Sequence, residues 1–331
     1  MSSITSLSII VPTFGRAATV VTACIQSIYD DYEHSKIKLP LEVLLVDQNE
    51  TPLTFSSEAK KNWKSFIHLT GLHPSVTKAK NRAAKEAKGD LLFFFDDDVV
   101  LHKGNIQRQL ELHNERDDLG MLGGREVYPE TKEYFQLEQK ERRKRRFVSF
   151  LKWIVRSFFS QNVERERSFK NIDDYIGRIY PETSFFFCRF DSFTARPIKV
   201  DTVRGCNASV KKEAFEKVSG FDESFQGSAI REESDFSLRL QQAGKVNYYA
   251  GDFAVTHHRQ LGGCNNLAKN YATLISKLEN ELHFQQRHFS HVSRFYFFIR
   301  LFPYVLSYAK STAGISFFLV LQFTLLLKKS R

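Results

Sequence analysis

The sequence predicts an α/β fold: a Rossmann-like, mostly parallel central sheet flanked by helices, with a basic helical insertion and an apolar helical C-terminal extension. Three observations predict it. Short apolar runs alternate with helix-spaced segments over the first 125 residues; polar and acidic groups cluster where those runs end; and a basic, aromatic stretch then interrupts the rhythm. Ligands of such sheets bind at the carboxyl ends of strands, so the run ends are where a site is expected.

Leu7 to Val11 is the first apolar strand, closed by Pro12-Thr13. Ala17, Val20, Val21, Cys24, Ile25 and Ile28 then recur at helical spacing. Leu41 to Val46 is a second strand ending at Asp47, and a third lies near Phe66 to Leu69. A helix from about Ser75 to Lys88 carries Lys80, Asn81 and Arg82. After Gly89-Asp90 the run Leu91-Leu92-Phe93-Phe94-Phe95 reads as a strand buried on both faces, and it delivers Asp96-Asp97-Asp98. Three adjacent carboxylates repel one another, so a cation is expected among them or at least one is expected to hold its proton unusually firmly. Oxygen ligands of this kind suit Mg2+ or Mn2+, which arrive with substrate phosphates.

Residues 128 to 200 break the pattern. The run Lys140-Glu141-Arg142-Arg143-Lys144-Arg145-Arg146 precedes Phe147 to Phe159, where Phe147, Phe150, Leu151, Ile154 and Phe158 share one helical face. That is the pattern of a basic amphipathic helix on an anionic bilayer, with packing on the core as the competing reading. Near the C-terminal end, Phe295 to Phe302 and Ile315 to Leu327 are apolar. The second run is short for a bilayer core of about 30 Å, so leaflet-embedded or core-packed helices are expected rather than a spanning pass. With 31 Phe in the chain, contact with lipid is a natural use for part of this apolar surface.

The formal charge of +10 calls for an anionic partner: nucleic acid, an acidic membrane or a phosphorylated substrate. Cys24, Cys188, Cys206 and Cys264 have no CxxC spacing, so neither a zinc module nor a disulfide framework is suggested, and a reduced compartment fits. No basic-then-apolar leader opens the sequence, in keeping with a cytoplasmic location.

A second constellation follows. Arg204-Gly205-Cys206-Asn207-Ala208-Ser209 reads as a turn where a glycine permits close backbone approach, and a short helix about Lys211 to Val218 leads to Gly220-Phe221-Asp222-Glu223. Arg231-Glu232-Glu233-Ser234-Asp235 opens a helix that stops at Gly244, placing acids in the first turn, where the helix dipole favours them. His257-His258 follows the apolar Phe253-Ala254-Val255. No GxGxxG turn follows the first strand and no GxxxxGK occurs, which disfavours a nicotinamide enzyme and a phosphate-loop NTPase.

Taken in order, Ile9-Ile10-Val11-Pro12-Thr13, Val46-Asp47, Lys80-Asn81-Arg82-Ala83, Gly89-Asp90 through Asp96-Asp97-Asp98, Gly205-Cys206-Asn207, Gly220-Phe221-Asp222-Glu223 and Glu232-Glu233-Ser234-Asp235 resemble the family 2 glycosyltransferases, which have the GT-A fold. The resemblance covers residues 6 to about 260 and implies an inverting, metal-dependent transfer of sugar from a nucleotide-sugar donor. It implies a donor half over 1–127, the basic insertion over 128–200, an acceptor half over 201–265 and an apolar region over 266–331.

Residue by residue, the resemblance makes Asp96-Asp97-Asp98 the DxD motif, with Asp98 on the divalent ion, Asp96 on the donor ribose or helping to hold the metal, and Asp97 between them more structural. It places Asp47 on the nucleotide base, where a carboxylate suits the N3 proton of a UDP or dTDP donor. Pro12 and Thr13 line the nucleotide pocket, Lys80, Asn81 and Arg82 stand near the diphosphate, and Asn207 lies on the donor side. Glu233 is the general base, with Glu232 and Asp235 as alternatives, and His257 or His258 is a third metal ligand, His257 being favoured. The acceptor is expected to be a glycan or lipid-linked hydroxyl at the inner face of the cell membrane, with no nucleic acid partner. The competing enzyme reading is a nucleotidyl or phosphoryl transferase using the same aspartates; a non-catalytic binding module leaves both acidic constellations unexplained.

Overall fold

The computed structural model describes residues 3–129, 176–180, 185–188, 190–227, 229–259 and 271–291. The basic run at 140–146, the aromatic segment after it and the apolar runs beyond 293 lie outside them. Among the described residues no helix is long and apolar enough to cross a membrane.

The expected alternation is present at the start of the chain: β1 (Leu7–Thr13), α1 (Ala18–His34), β2 (Leu41–Asp47), α2 (Ser57–Lys60), β3 (Phe66–Leu69), α3 (Val76–Glu86) and β4 (Leu91–Phe95). Then follow β5 (Val99–Leu101), α4 (Asn105–Glu115), β6 (Leu119–Val127), β7 (Ile176–Tyr180), β8 (Phe185–Cys188), β9 (Ile198–Val200), β10 (Asn207–Lys211), α5 (Lys212–Lys217), α6 (Glu232–Gln242), β11 (Val246–His257) and α7 (Tyr271–His288). The main sheet runs β3-β2-β1-β4-β10-β6-β11-β5, with β9 also on β11; β7 and β8 form a separate antiparallel pair.

The central sheet flanked by helices is present, and it is mixed. β3, β2, β1 and β4 are parallel, and so are β6 and β11, but β10 runs antiparallel between β4 and β6, and β5 and β9 pair antiparallel with β11. The stretch around Asn207 that reads as a turn is in fact this central strand. Its five residues are all buried although three are polar, because Asn207 meets Asn105 and Gln109, and Ser209 meets His113.

Strand alternation divides the interior into two layers. Ile9, Val11, Phe93 and Phe95 face α1, which contributes Val21, Cys24, Ile25 and Ile28. Ile10, Leu44, Leu92 and Phe94 face the opposite side, covered by Ala79 and Ala83 of α3, Phe215 of α5, and Phe236 and Leu240 of α6. The buried Val, Leu, Ile and Phe side chains among these contribute roughly 1.5–3 kcal/mol each. α6 stops as predicted: Gly244 has φ +85° and its N–H donates to the Gln241 carbonyl at 2.9 Å.

His113 on α4 is fully buried beside Ser209 Oγ at 2.9 Å, and burial pushes its imidazole down to about 3. The unfolded chain takes up that proton near pH 6.5, so stability from this group is lost as pH falls below 6.5. We expect the urea-unfolding free energies of wild type and His113→Gln to differ by a term that changes by about 1.4 kcal/mol per pH unit between pH 6 and 4.

Candidate active site

The strand order brings the sequence-distant groups to one edge. Thr13 pairs with Asp47 across β1 and β2, Asn207 with Phe95 across β10 and β4, and His257 with Val99 across β11 and β5. Because β10 is reversed, its N-terminal approach, Gly205-Cys206, lies at the same edge as the C-terminal ends of β4, β6 and β11.

Thr13 Oγ1 donates to Asp97 Oδ2 at 2.7 Å, and Arg16 bridges two acids, Nε to Asp97 at 3.0 Å and a terminal nitrogen to Asp98 at 3.2 Å. Asp97 is therefore a buried strut. Asp98 turns its other oxygen to His257, 3.1 Å from Nε2, while Asp96 lies 3.8 Å from the same nitrogen. His258 is exposed, and only its backbone N–H reaches back, to the Asp98 carbonyl at 3.0 Å. Burial pushes Asp96 up to about 6, opposed by His257 and reinforced by Asp98, and burial likewise raises Asp97 against the pull of Arg16.

Behind His257 stands Glu126, at the end of β6. Its Oε1 accepts from His257 Nδ1 at 2.6 Å and its Oε2 from Arg204 at 2.5 Å. Burial opposes ionisation of Glu126, yet His257 and Arg204 hold the carboxyl well below its usual range. Burial would likewise lower His257, but Asp98, Cys206 and Glu126 raise it. Nδ1 is thus committed to a carboxylate while Nε2 is aimed at the aspartates, the arrangement that fixes a metal-ligating imidazole. Asp96, Cys206 and His257 place potential donor atoms within 4.8 Å of one another, so these residues fit a divalent ion.

The second constellation sits on α6 and α3. Lys80 is buried, with Nζ 2.7 Å from Glu232 and 3.8 Å from Glu233, and it lies 4.8 Å from the Phe221 ring centroid. Two carboxylates share one ammonium, and burial pushes Glu232 up to about 8 despite that ammonium. Glu233 accepts the Gly205 N–H at 2.7 Å, and its side chain keeps 31% exposure against 6% for Glu232. A Cβ at Gly205 would stand 2.5 Å from Glu233 Oε1, which explains the glycine. Asp235 is fully buried and held by Arg239 at 2.7 Å and by His288 of α7 at 2.8 Å. Arg231, at φ +77° before α6, pairs with Glu281 of α7 at 2.8 Å, so α7 braces the start of α6.

Other expected donor contacts are placed differently. Asn207 is fully buried behind the edge, its side chain accepting from Asn105 and Gln109 at 3.2 Å each. Asn81 ties down the turn after α5, accepting the Phe221 N–H and donating to its carbonyl at 2.8 Å each. Lys80 is committed to the two glutamates, and Arg82 donates to the Thr70 carbonyl at 2.8 Å. Asp47 is fully buried with both oxygens engaged, by Asn49, by the Leu53 N–H and by His68. Burial opposes its ionisation, but those bonds hold it below the usual carboxylate range. Pro12 is half-buried at the same edge. Sequence reading misses Arg16, Glu126 and Arg204 as site residues; a glutamate four residues beyond the apolar pair Met121-Leu122 carried the one available signal.

The fold is similar to that of GalNAc-T7 crystallised with UDP, GalNAc and Mn2+ (TM-score 0.55, 11% identity, 85% of this chain and 48% of that one). It is also similar to residues 1–349 of S. aureus TarS in complex with UDP-GlcNAc (TM-score 0.50, 13% identity, 85% and 66%) and to S. aureus TarS itself (TM-score 0.51, 13% identity, 84% and 38%). The chain thus spans about half the length of GalNAc-T7. No curated protein gives a significant sequence match. The sequence profile described as glycosyl transferase family 2 matches residues 8–218, from the first strand through the carboxylate triplet and the inserted strand. With a match over more than half its length, the chain belongs to glycosyl transferase family 2.

Proposed function

We propose that the protein transfers a glycosyl group from a nucleoside diphosphate sugar, UDP- or dTDP-linked, to an acceptor hydroxyl, with inversion at the anomeric carbon. The observation that carries this reading is the opposition of two differently prepared acidic groups at one sheet edge. Asp96 and Asp98 converge on His257, while Glu233, half-exposed and fixed by the Gly205 N–H, lies close enough to act electrostatically on Asp96. Its neighbours are unsuited to the role of base: Glu232 is buried on Lys80, and Asp235 is buried on Arg239.

Glu233 takes the acceptor proton as that oxygen attacks, which requires a carboxylate that is open, ionised and held in place. A divalent ion, Mg2+ or Mn2+, held by Asp96, Asp98 and His257 would supply positive charge where the departing diphosphate gains negative charge. Arg16 and Thr13 fix Asp97 and thereby the aim of the acids on either side. Asp47, with its oxygens engaged by loop 48–53, shapes the base pocket through that loop.

Incubation with a panel of UDP- and dTDP-sugars and Mn2+, followed by product analysis, tests the reading. Release of nucleoside diphosphate with transfer of sugar is expected, and Asp98→Asn should reduce it at least ~100-fold. Release of pyrophosphate from a nucleoside triphosphate would instead favour the nucleotidyl transferase.

The acceptor reading, a lipid-linked sugar or growing glycan at the cytoplasmic membrane face, rests on the basic run at 140–146 and the apolar runs beyond 293. Removal of residues 293–331 is expected to shift the protein from the membrane fraction to the supernatant; unchanged partitioning would count against membrane attachment.

A further inference from the structure

One face of α7 runs along the segment that enters α6. Ser276, Asn280, Phe284 and His288 are spaced four apart, which places them on one side of that helix. The Asn280 amide clasps the Gln226 peptide, donating to its carbonyl at 2.8 Å and accepting its N–H at 3.1 Å, and Ser276 Oγ donates to the same carbonyl at 2.9 Å. The approach is close, since a Cβ at Gly227 would stand 2.5 Å from Ser276 Oγ. Phe284 packs with the buried Phe225, and His288 meets Asp235 at 2.8 Å. The turn held in this way is strained. Ala229 and Arg231 have φ +46° and +77°, a region that residues with a Cβ avoid and that persists only where the surroundings hold it. Arg231 is the N-cap of α6, yet its side chain does not cap the helix; its Nε reaches Glu281, fully buried on α7, at 2.8 Å.

We propose that Glu281 is a positioning residue for the transfer: through Arg231 it holds the left-handed turn that opens α6 and so fixes where Glu233 stands. The proposal rests on the reading of Glu233 as the base. A base works only within hydrogen-bond reach of the acceptor hydroxyl, so a turn free to relax toward a right-handed or extended backbone carries Glu233 out of reach without touching the aspartates. The Gly205 N–H holds the far end of the Glu233 side chain, and Glu281 steadies the backbone from which that side chain grows. α7 lies beyond residues 8–218, so this brace stands outside the stretch that carries the family's pattern.

Glu281→Ala in the full-length protein is expected to lower kcat by about 10- to 100-fold, the effect of misplacing a catalytic group by about 1 Å, with affinity for UDP and dTDP within about 2-fold of wild type. The same substitution is then made in Glu233→Gln. A residue that acts through Glu233 has nothing left to position there, so the residual kcat is expected to stay unchanged; an equal loss in both backgrounds overturns the proposal. If Glu281→Ala does not fold, Arg231→Gly takes its place, because glycine adopts the left-handed turn without strain and the tether alone is lost. A wild-type kcat in Arg231→Gly overturns the proposal, and a loss that disappears in the Glu233→Gln background supports it. Failure of the underlying reading looks different: Glu233→Gln then keeps its own kcat, or the wild type releases no nucleoside diphosphate from the donor panel, and the proposal falls with it.

Discussion

Glu233→Gln is expected to lower kcat by about 100- to 10,000-fold while leaving donor affinity close to wild type. Glutamine keeps the length of the side chain and an oxygen able to accept the Gly205 N–H now bonded at 2.7 Å, so the start of α6 retains its anchor. What disappears is the ability to hold a proton from the acceptor. Lys80 loses only the more distant of its two carboxylates, at 3.8 Å, and keeps Glu232 at 2.7 Å. Single-turnover transfer and nucleotide titration separate the two effects. A kcat near wild type would remove Glu233 from the chemistry, whereas a loss of nucleotide binding with intact kcat would make it a donor contact.

Glu126→Ala should weaken Mn2+ binding by about 10- to 100-fold and cost about 3 kcal/mol of stability. The first effect follows from His257: without the carboxylate at 2.6 Å from Nδ1, nothing commits that nitrogen, and the ring loses its fixed orientation toward Asp98. The second follows from charge, because Arg204 and Arg259 lose the carboxylate that both face, at 2.5 and 3.7 Å. Mn2+ titration followed by electron paramagnetic resonance and urea unfolding measure the two separately. Unchanged Mn2+ affinity with reduced stability would make Glu126 purely a partner of the arginines.

Much of this arrangement could be read from the chain because apolar runs are local signals. Leu91 to Phe95 declares a buried strand, and whatever follows it must emerge at the sheet edge, so the placement of Asp96 to Asp98 followed from five residues. The helix bearing Glu233 was legible for the same reason, through Phe236, Leu240 and the stop at Gly244. β10 was not. Asn-Ala-Ser-Val-Lys looks like a loop, and only partners about a hundred residues earlier, the amides of Asn105 and Gln109 for Asn207 and the imidazole of His113 for Ser209, make these polar side chains tolerable in the interior. The polar residues of this buried strand, Asn207 among them, read as a loop for that reason. Glu126 was missed because its partner is 131 residues away, and no spacing rule connects the two. The choice among Glu232, Glu233 and Asp235 likewise depended on which of three neighbouring acids finds a buried cation, a tertiary fact.

The reversed strand also governs the order in which the molecule can be assembled. Residues 91–95 and 119–127 are close in the chain, yet they are joined in the sheet only through residues 207–211. A growing chain that has not reached residue 211 has β4 and β6 each with a bare edge, and such edges are templates for pairing with another chain. The interposed 80 or so residues, including the basic run, must therefore be made and kept out of the way before the centre closes, and loop closure of this length slows folding. Insertion of β10 joins the two parts of the sheet and places the Gly205 N–H where Glu233 docks, so the centre of the sheet and this part of the candidate site depend on the same strand.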